Sequence, residues 1–174
     1  MHPPRHPPDT HRWPIVTLSI GRPTSRTFGD KELTTAICKS AVGGPLRLTL
    51  LGFEGDGVAN TSYHGGPDKA VCVYSAAHYR QWAEELGRSL PTAAFGENLT
   101  LGGFEEDQLC IGDVLSLGKA RVQVTQPRQP CRTPGLRLGC DDLLERILRT
   151  GLCGFYLRVL DEGEVCDTDL LQIL

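Results

Sequence analysis

Four short stretches carry the residues best suited to chemistry. In QPRQPC, residues 126–131, Pro127 and Pro130 fix their own backbone angles and push Gln126 and Gln129 toward extended conformations, so Cys131 is held by a segment with little freedom to lose. Arg128 precedes it closely, and a nearby guanidinium favours thiolate over thiol. A thiolate is a nucleophile and a metal ligand, and stiff presentation suits the ligand role. In HGGPDK, residues 64–69, the pair Gly65-Gly66 lets backbone N–H groups converge on an anion, with Lys69 to neutralise a phosphate. Taken alone, a solvated turn explains those residues more often. In FGENL, residues 95–99, Glu97 and Asn98 can meet the donor and acceptor edges of a polar heterocycle or merely close a turn, and the turn is preferred for that stretch by itself. AICKSAV, residues 36–42, sets Lys39 and Ser40 among apolar neighbours, either as anion ligands or as a surface strand end. Neither GxxxxGK[ST] nor a strand-linked GxGxxG is present to support a nucleotide.

The elements that must position these residues are mostly strands. WPIVTLSI, PLRLTLL, KAVCVY, DVLSLG, ARVQVTQ, FYLRVL and LLQIL are short apolar or alternating runs separated by turn residues, which predicts a mainly β (α+β) domain closed into a barrel. Val122 and Val124 face one side of their strand and Arg121, Gln123 and Thr125 the other, and Gly118-Lys119 makes a tight turn, so a hairpin feeds the chain into QPRQPC. Two covering helices are expected. In the first, Ser75 caps, Tyr79, Trp82, Ala83 and Leu86 form the apolar stripe, Gly87 stops it and His78 is a first-turn surface residue. In the second, Asp141 or Asp142 caps, Leu143, Leu144, Ile147 and Leu148 pack, and Gly151 stops it.

Composition narrows the function classes. The 174 residues suit one domain, placed at 14–174, after a Pro/His-rich extension over 1–13 that holds three of the five histidines and is expected to be disordered. A net charge of -3 with scattered basic residues argues against nucleic acid, and the lack of a long apolar run argues against a membrane, so a cytoplasmic location is expected. Seven cysteines, an odd number without a CxxC pair, read as reduced thiols, with Cys38, Cys72, Cys110 and Cys153 in apolar surroundings as packing residues. A thiol peroxidase or cysteine hydrolase is disfavoured because neither His64 nor His78 lies near Cys131 in sequence.

HGGPDKAV, HYRQW, FGENLT, CIGD, QPRQPC and GFYLRVL, in that order between about Ile15 and Val165, resemble the MOSC domains, named for the C-terminal domain of molybdenum cofactor sulfurases, and look most like the YiiM-like stand-alone bacterial branch. The resemblance implies a compact MOSC-type β-barrel with a few covering helices and a bound molybdenum cofactor. It places Cys131 as thiolate ligand to molybdenum and Arg128 as positive charge beside it. Lys39, Ser40, His64, Gly65, Gly66, Lys69 and Asn98 would hold the pterin and its phosphate, and His64, Gly65, Gly66, Lys69, Asn98, Arg128 and Cys131 are expected to line one pocket at a rim of the barrel. Pyridoxal phosphate binding is not expected. The implied activity is an oxidoreductase that reduces small N-hydroxylated molecules, such as hydroxylaminopurines or amidoximes, to amines with electrons from a separate reductase. The alternatives are a sulfur-carrier domain using a Cys131 persulfide and a non-catalytic cofactor-binding module. The chain departs from the family at Arg132, Thr133 and Pro134, where an aromatic residue and a lysine usually follow the cysteine, and at Val58 and Asn60. Its CDTD segment also lacks the usual Gly-Asp turn.

Overall fold

Alternation with a period of two builds most of this protein. The computed structural model describes residues 12–174, and its strands, in chain order, are β1 (Arg12–Ile20), β2 (Thr24–Phe28), β3 (Lys31–Thr35), β4 (Ser40–Ala41), β5 (Leu46–Thr49), β6 (Gly52–Phe53), β7 (Val71–Ser75), β8 (Leu99–Leu101), β9 (Val114–Leu117), β10 (Ala120–Pro127), β11 (Phe155–Asp161), β12 (Gly163–Val165) and β13 (Leu170–Ile173). The helices are α1 (Ala76–Leu86), α2 (Thr133–Leu138) and α3 (Leu143–Thr150). An eight-stranded sheet runs β13-β9-β10-β11-β7-β8-β1-β4, and β13 also pairs with β1, so all of it except β4 closes into a barrel. Among these neighbours β7 and β8 are parallel, with α1 in the crossover between them.

The expected extension over 1–13 lies outside the described residues as far as residue 11, and its last two residues belong to β1 instead. Trp13 is 2% exposed, sits edge-on to Phe104 at 5.5 Å and donates its indole N–H to Gln108 Oε1 at 3.0 Å. Burying so large an apolar ring with its one donor satisfied outweighs the pull of the preceding polar, proline-rich residues.

Two apolar clusters divide the interior. Val71, Val73, Phe155, Leu157, Val122 and Val124 point into the barrel with Leu18, Leu115, Leu117 and others and fill it. Tyr74, Trp82, Ala94, Phe95, Leu138, Leu143 and Ile147 form a second cluster that seats the helices on the outer wall. The expected caps of α1 hold: Ser75 Oγ accepts from the N–H of Ala77, and Gly87 is left-handed at φ 64°. Asp142 stands at the start of α3 but gives its carboxylate to Arg146 rather than to a cap.

Two expectations about the helices fail. His78 is buried, with Nε2 against the Glu106 carboxylate at 2.7 and 2.8 Å, because the segment after β8 folds back over the first turn of α1. Leu148 is 66% exposed: α3 rests on its support only through Leu143 and Ile147, one turn apart, so its apolar stripe is narrower than the sequence suggests. Helix α2, directly after QPRQPC, has no apolar period long enough to announce it. Among the described residues no helix is long and apolar enough to cross a membrane.

Candidate functional site

Because side chains alternate across a strand, the inward Val71 and Val73 force Cys72 and Tyr74 outward, and the inward Phe155 and Leu157 do the same to Tyr156. Tyr156 pairs with Cys72 across the β11–β7 ladder, so the two lie side by side on the outer wall. A cavity of about 540 Å³ stands on that patch. The expected place at a rim is therefore corrected: the barrel interior is filled, and the cavity lies between the outside of the wall and the loops that cover it. His64, Gly65, Gly66, Lys69, Asn98, Arg128 and Cys131 all line this one cavity, as does Lys39. Ser40 does not; it is exposed in β4, where it pairs with Ile20.

Cys131 is half-buried at the end of the proline-bracketed segment. Burial pushes its thiol up, but a hydrogen bond with the His64 side chain, the backbone N–H of Thr133, the Arg128 guanidinium and the Thr133 hydroxyl together bring it down to about 7. The sequence distance that disfavoured a cysteine–histidine pair is closed by the fold. Cys72, assigned to packing, is buried but also lines the cavity, and its thiol is pushed up to about 11, chiefly by burial. Cys38, Cys110 and Cys153 are half-buried, and Cys153 packs against the second apolar cluster as assigned.

Arg128 is 8% exposed, and its Nε is buried without a hydrogen-bond partner. Its backbone N–H is held by the carbonyl of Gly154 at 2.9 Å, which fixes where the guanidinium begins. Burial works against its charge, while Cys72, Tyr156, Cys131 and Glu97 favour it, and the net effect is a firmly retained proton. Tyr156 is raised, mainly by burial, although Arg128 hydrogen-bonds to it. Glu97 is not a turn residue pointing to solvent. It is 1% exposed and accepts from the Tyr79 hydroxyl, from the Phe95 N–H at 3.2 Å and from the Thr100 hydroxyl at 3.0 Å.

Two other expected ligands are already engaged. Lys39 Nζ is ion-paired with Asp56 Oδ1, and Asn98 donates to Asp56 Oδ2 at 2.8 Å while accepting from the Cys72 N–H at 3.0 Å. Lys69 is freer: its Nζ donates to the Tyr63 carbonyl at 2.7 Å and stands 6.0 Å from the Tyr156 ring. Gly65 and Gly66 take φ of 76° and 83°, which leads the backbone into the short 3-10 turn Pro67–Lys69 that carries this lysine. Asp56, Cys72, Tyr156 and Thr133 are site residues that the motifs passed over. Asp56 had the only usable signal, a lone carboxylate in the turn GDG.

The MOSC domain profile matches residues 60–172. The chain belongs to the MOSC domain family. YflK of Bacillus subtilis (strain 168) is 45% identical over 163 residues, spanning 94% of this MOSC protein and 74% of that one. The crystal structure of YiiM from Geobacillus stearothermophilus matches with a TM-score of 0.76 at 36% identity, covering 93% of this chain and 75% of that one. A protein named reductase from Gibberella moniliformis (strain M3125 / FGSC 7600) is 35% identical over 164 residues, which is 92% of this MOSC chain but 29% of that protein. The cavity lies mostly within the matched region, and only the wall from Leu33 to Ala59 precedes it.

Proposed function

We propose that this MOSC protein binds the molybdenum cofactor in the cavity on the outer wall and reduces small N-hydroxylated molecules to amines. The observation that carries the proposal is the pairing of a half-buried thiol held near 7 with a buried guanidinium whose Nε has no partner. The residues fit the group. A soft thiolate suits molybdenum, and an unsatisfied buried donor asks for an acceptor that the protein itself does not provide. Among the described residues no cluster of three or more His, Cys, Asp or Glu side chains could hold a metal. A metal beside Cys131 would therefore have to arrive with ligands of its own, as it does in a pterin dithiolene.

In this reading Cys131 is the protein's ligand, Arg128 and Lys69 receive the anionic parts of the cofactor, and Gly65-Gly66 lets the backbone approach it. The bound cofactor supplies a two-electron redox centre. His64 holds the Cys131 sulfur in place, and the roof over Cys72 and Tyr156 limits water. The N-hydroxy compound gains two electrons and two protons, its N–O bond breaks, and the oxygen leaves as water. A separate reductase delivers the electrons.

The test is metal analysis and turnover of protein made in a host that synthesises the cofactor. Stoichiometric molybdenum, lost in Cys131→Ser with the fold intact, and reduction of an amidoxime or hydroxylaminopurine by the wild type support the proposal. Cyanide-labile sulfur on Cys131 without molybdenum would replace it with sulfur transfer, and bound cofactor with no turnover on either substrate would leave a binding module.

A further inference from the structure

The carboxylate of Asp56 has no part in the reading above, yet both of its oxygens are engaged within the cavity wall. Its Oδ1 accepts from Lys39 Nζ and from the Gly21 N–H at 2.8 Å, and its Oδ2 accepts from Asn98 Nδ2 at 2.8 Å. Asn98 in turn donates to the Ser19 carbonyl at 3.2 Å and accepts from the Cys72 N–H at 3.0 Å. One carboxylate thus ties the end of β1, the approach to β4 and the loop before β8 together, and through Asn98 it reaches the start of β7. The side chains of Lys39 and Asp56 are only 5% and 12% exposed, so the pair is little screened by solvent.

The charges in the cavity then fall into two groups. Lys39 is cancelled by its own protein's carboxylate. Arg128 and Lys69 form no ion pair among the described residues, and Lys69 Nζ meets only a neutral carbonyl and the face of a ring. An anion entering the cavity gains from Arg128 and Lys69 at once, whereas binding to Lys39 requires breaking a buried ion pair first, and a buried charge left without its partner is costly.

We propose that Asp56 is a specificity-determining carboxylate: by occupying Lys39 and Asn98 from within, it withholds Lys39 from anions and directs the phosphate-like group of a ligand to Arg128 and Lys69. The proposal deepens the cofactor reading and rests on it only for the identity of the anion-bearing ligand. The probe is inorganic phosphate, so reductase turnover is not involved, and loss of the N-hydroxy activity would refute that reading without touching this one.

Phosphate titration followed through the NMR resonances of the lysine ammonium groups reads each lysine separately. In the wild type, phosphate should shift Lys69 and leave Lys39 in place. Asp56→Asn keeps the shape of the side chain but removes its charge. Lys39 should then respond, and phosphate affinity should rise about tenfold, the scale of one charge-assisted hydrogen bond. Adding Lys39→Met to that variant should return affinity to the wild-type value. Lys39 moving together with Lys69 in the wild type, or a folded Asp56→Asn protein with unchanged affinity, overturns the proposal. If Asp56→Asn does not fold, the wild-type titration decides alone.

Discussion

His64 hydrogen-bonds to Cys131, although the two come from separate loops, one leading to β7 and the other leaving β10. The contact is the largest of the influences that bring the Cys131 thiol down to about 7. Its alkylation rate by iodoacetamide in cofactor-free protein should rise as the pH passes about 7 and level off above it, because the thiolate is the reacting form. Removing the hydrogen bond in His64→Ala should move the midpoint upward. Mass spectrometry of the labelled peptides should find Cys131 modified near pH 7 while Cys72, held near 11, stays untouched.

Lys69→Ala should weaken cofactor binding more at low salt than at high salt. The ammonium is half-exposed and acts as a point charge, and mobile ions screen such charges over about 10 Å at 0.1 M. Cys131→Ser should impair binding equally across the series, because a coordinate bond is not screened. Reconstitution of apo-protein with isolated cofactor at several salt concentrations checks both. A flat, wild-type-like curve for Lys69→Ala would remove the lysine from the anion site.

Gly154→Ala should destabilise the fold by about 3 kcal/mol or more, the range of backbone strain joined to a clash. A Cβ there would stand 2.2 Å from the Val73 carbonyl oxygen, and the residue holds φ at 73°. Its carbonyl also anchors the N–H of Arg128, so the same change should disturb the cavity. Chemical denaturation gives the stability loss, and molybdenum retention at a temperature where the variant is folded gives the local effect.

Arg137→Met should lower Tm by about 5–10 °C, the equivalent of roughly 2–3 kcal/mol for a chain this long. The guanidinium donates to the Ile37 carbonyl at 2.7 Å, to the Ala93 carbonyl and to the Thr92 carbonyl at 3.1 Å, and so staples α2 to two other walls. A methionine fills the same space but leaves those carbonyls without the donor. Differential scanning calorimetry reads the shift.

Local rules carried much of the fold because the strands obey them. Val122 and Val124 alternate with polar neighbours, and Ser75 and Gly87 bracket α1 as their chemistry requires. The stiff approach to Cys131 was legible for the same reason, since Pro127 and Pro130 act on their own backbone. Cys72 was not. Its strand is covered on both faces, by the filled barrel within and by the roof without, so VCVY reads as one apolar run that does not reveal which side chain meets a cavity. Asp56, His64 and His78 take their roles from partners far along the chain, and no local pattern encodes a distance that folding alone closes. The roles of Lys39, Asn98 and Cys131 rested on the family resemblance, and the geometry adds that the first two are engaged before any ligand arrives.

The filled barrel carries a consequence for how this protein can vary. A cavity inside a barrel is bounded by the strands, and enlarging it means changing the number or tilt of the staves. Here the staves are a solid post, and the binding volume is a lean-to raised against one side of it by the segments 33–39, 51–66 and 128–133. Phe53 alone in those segments belongs to the core cluster; the rest can be lengthened, shortened or recharged without disturbing the inward-facing side chains of the strands, so ligand choice and barrel stability can be altered largely independently.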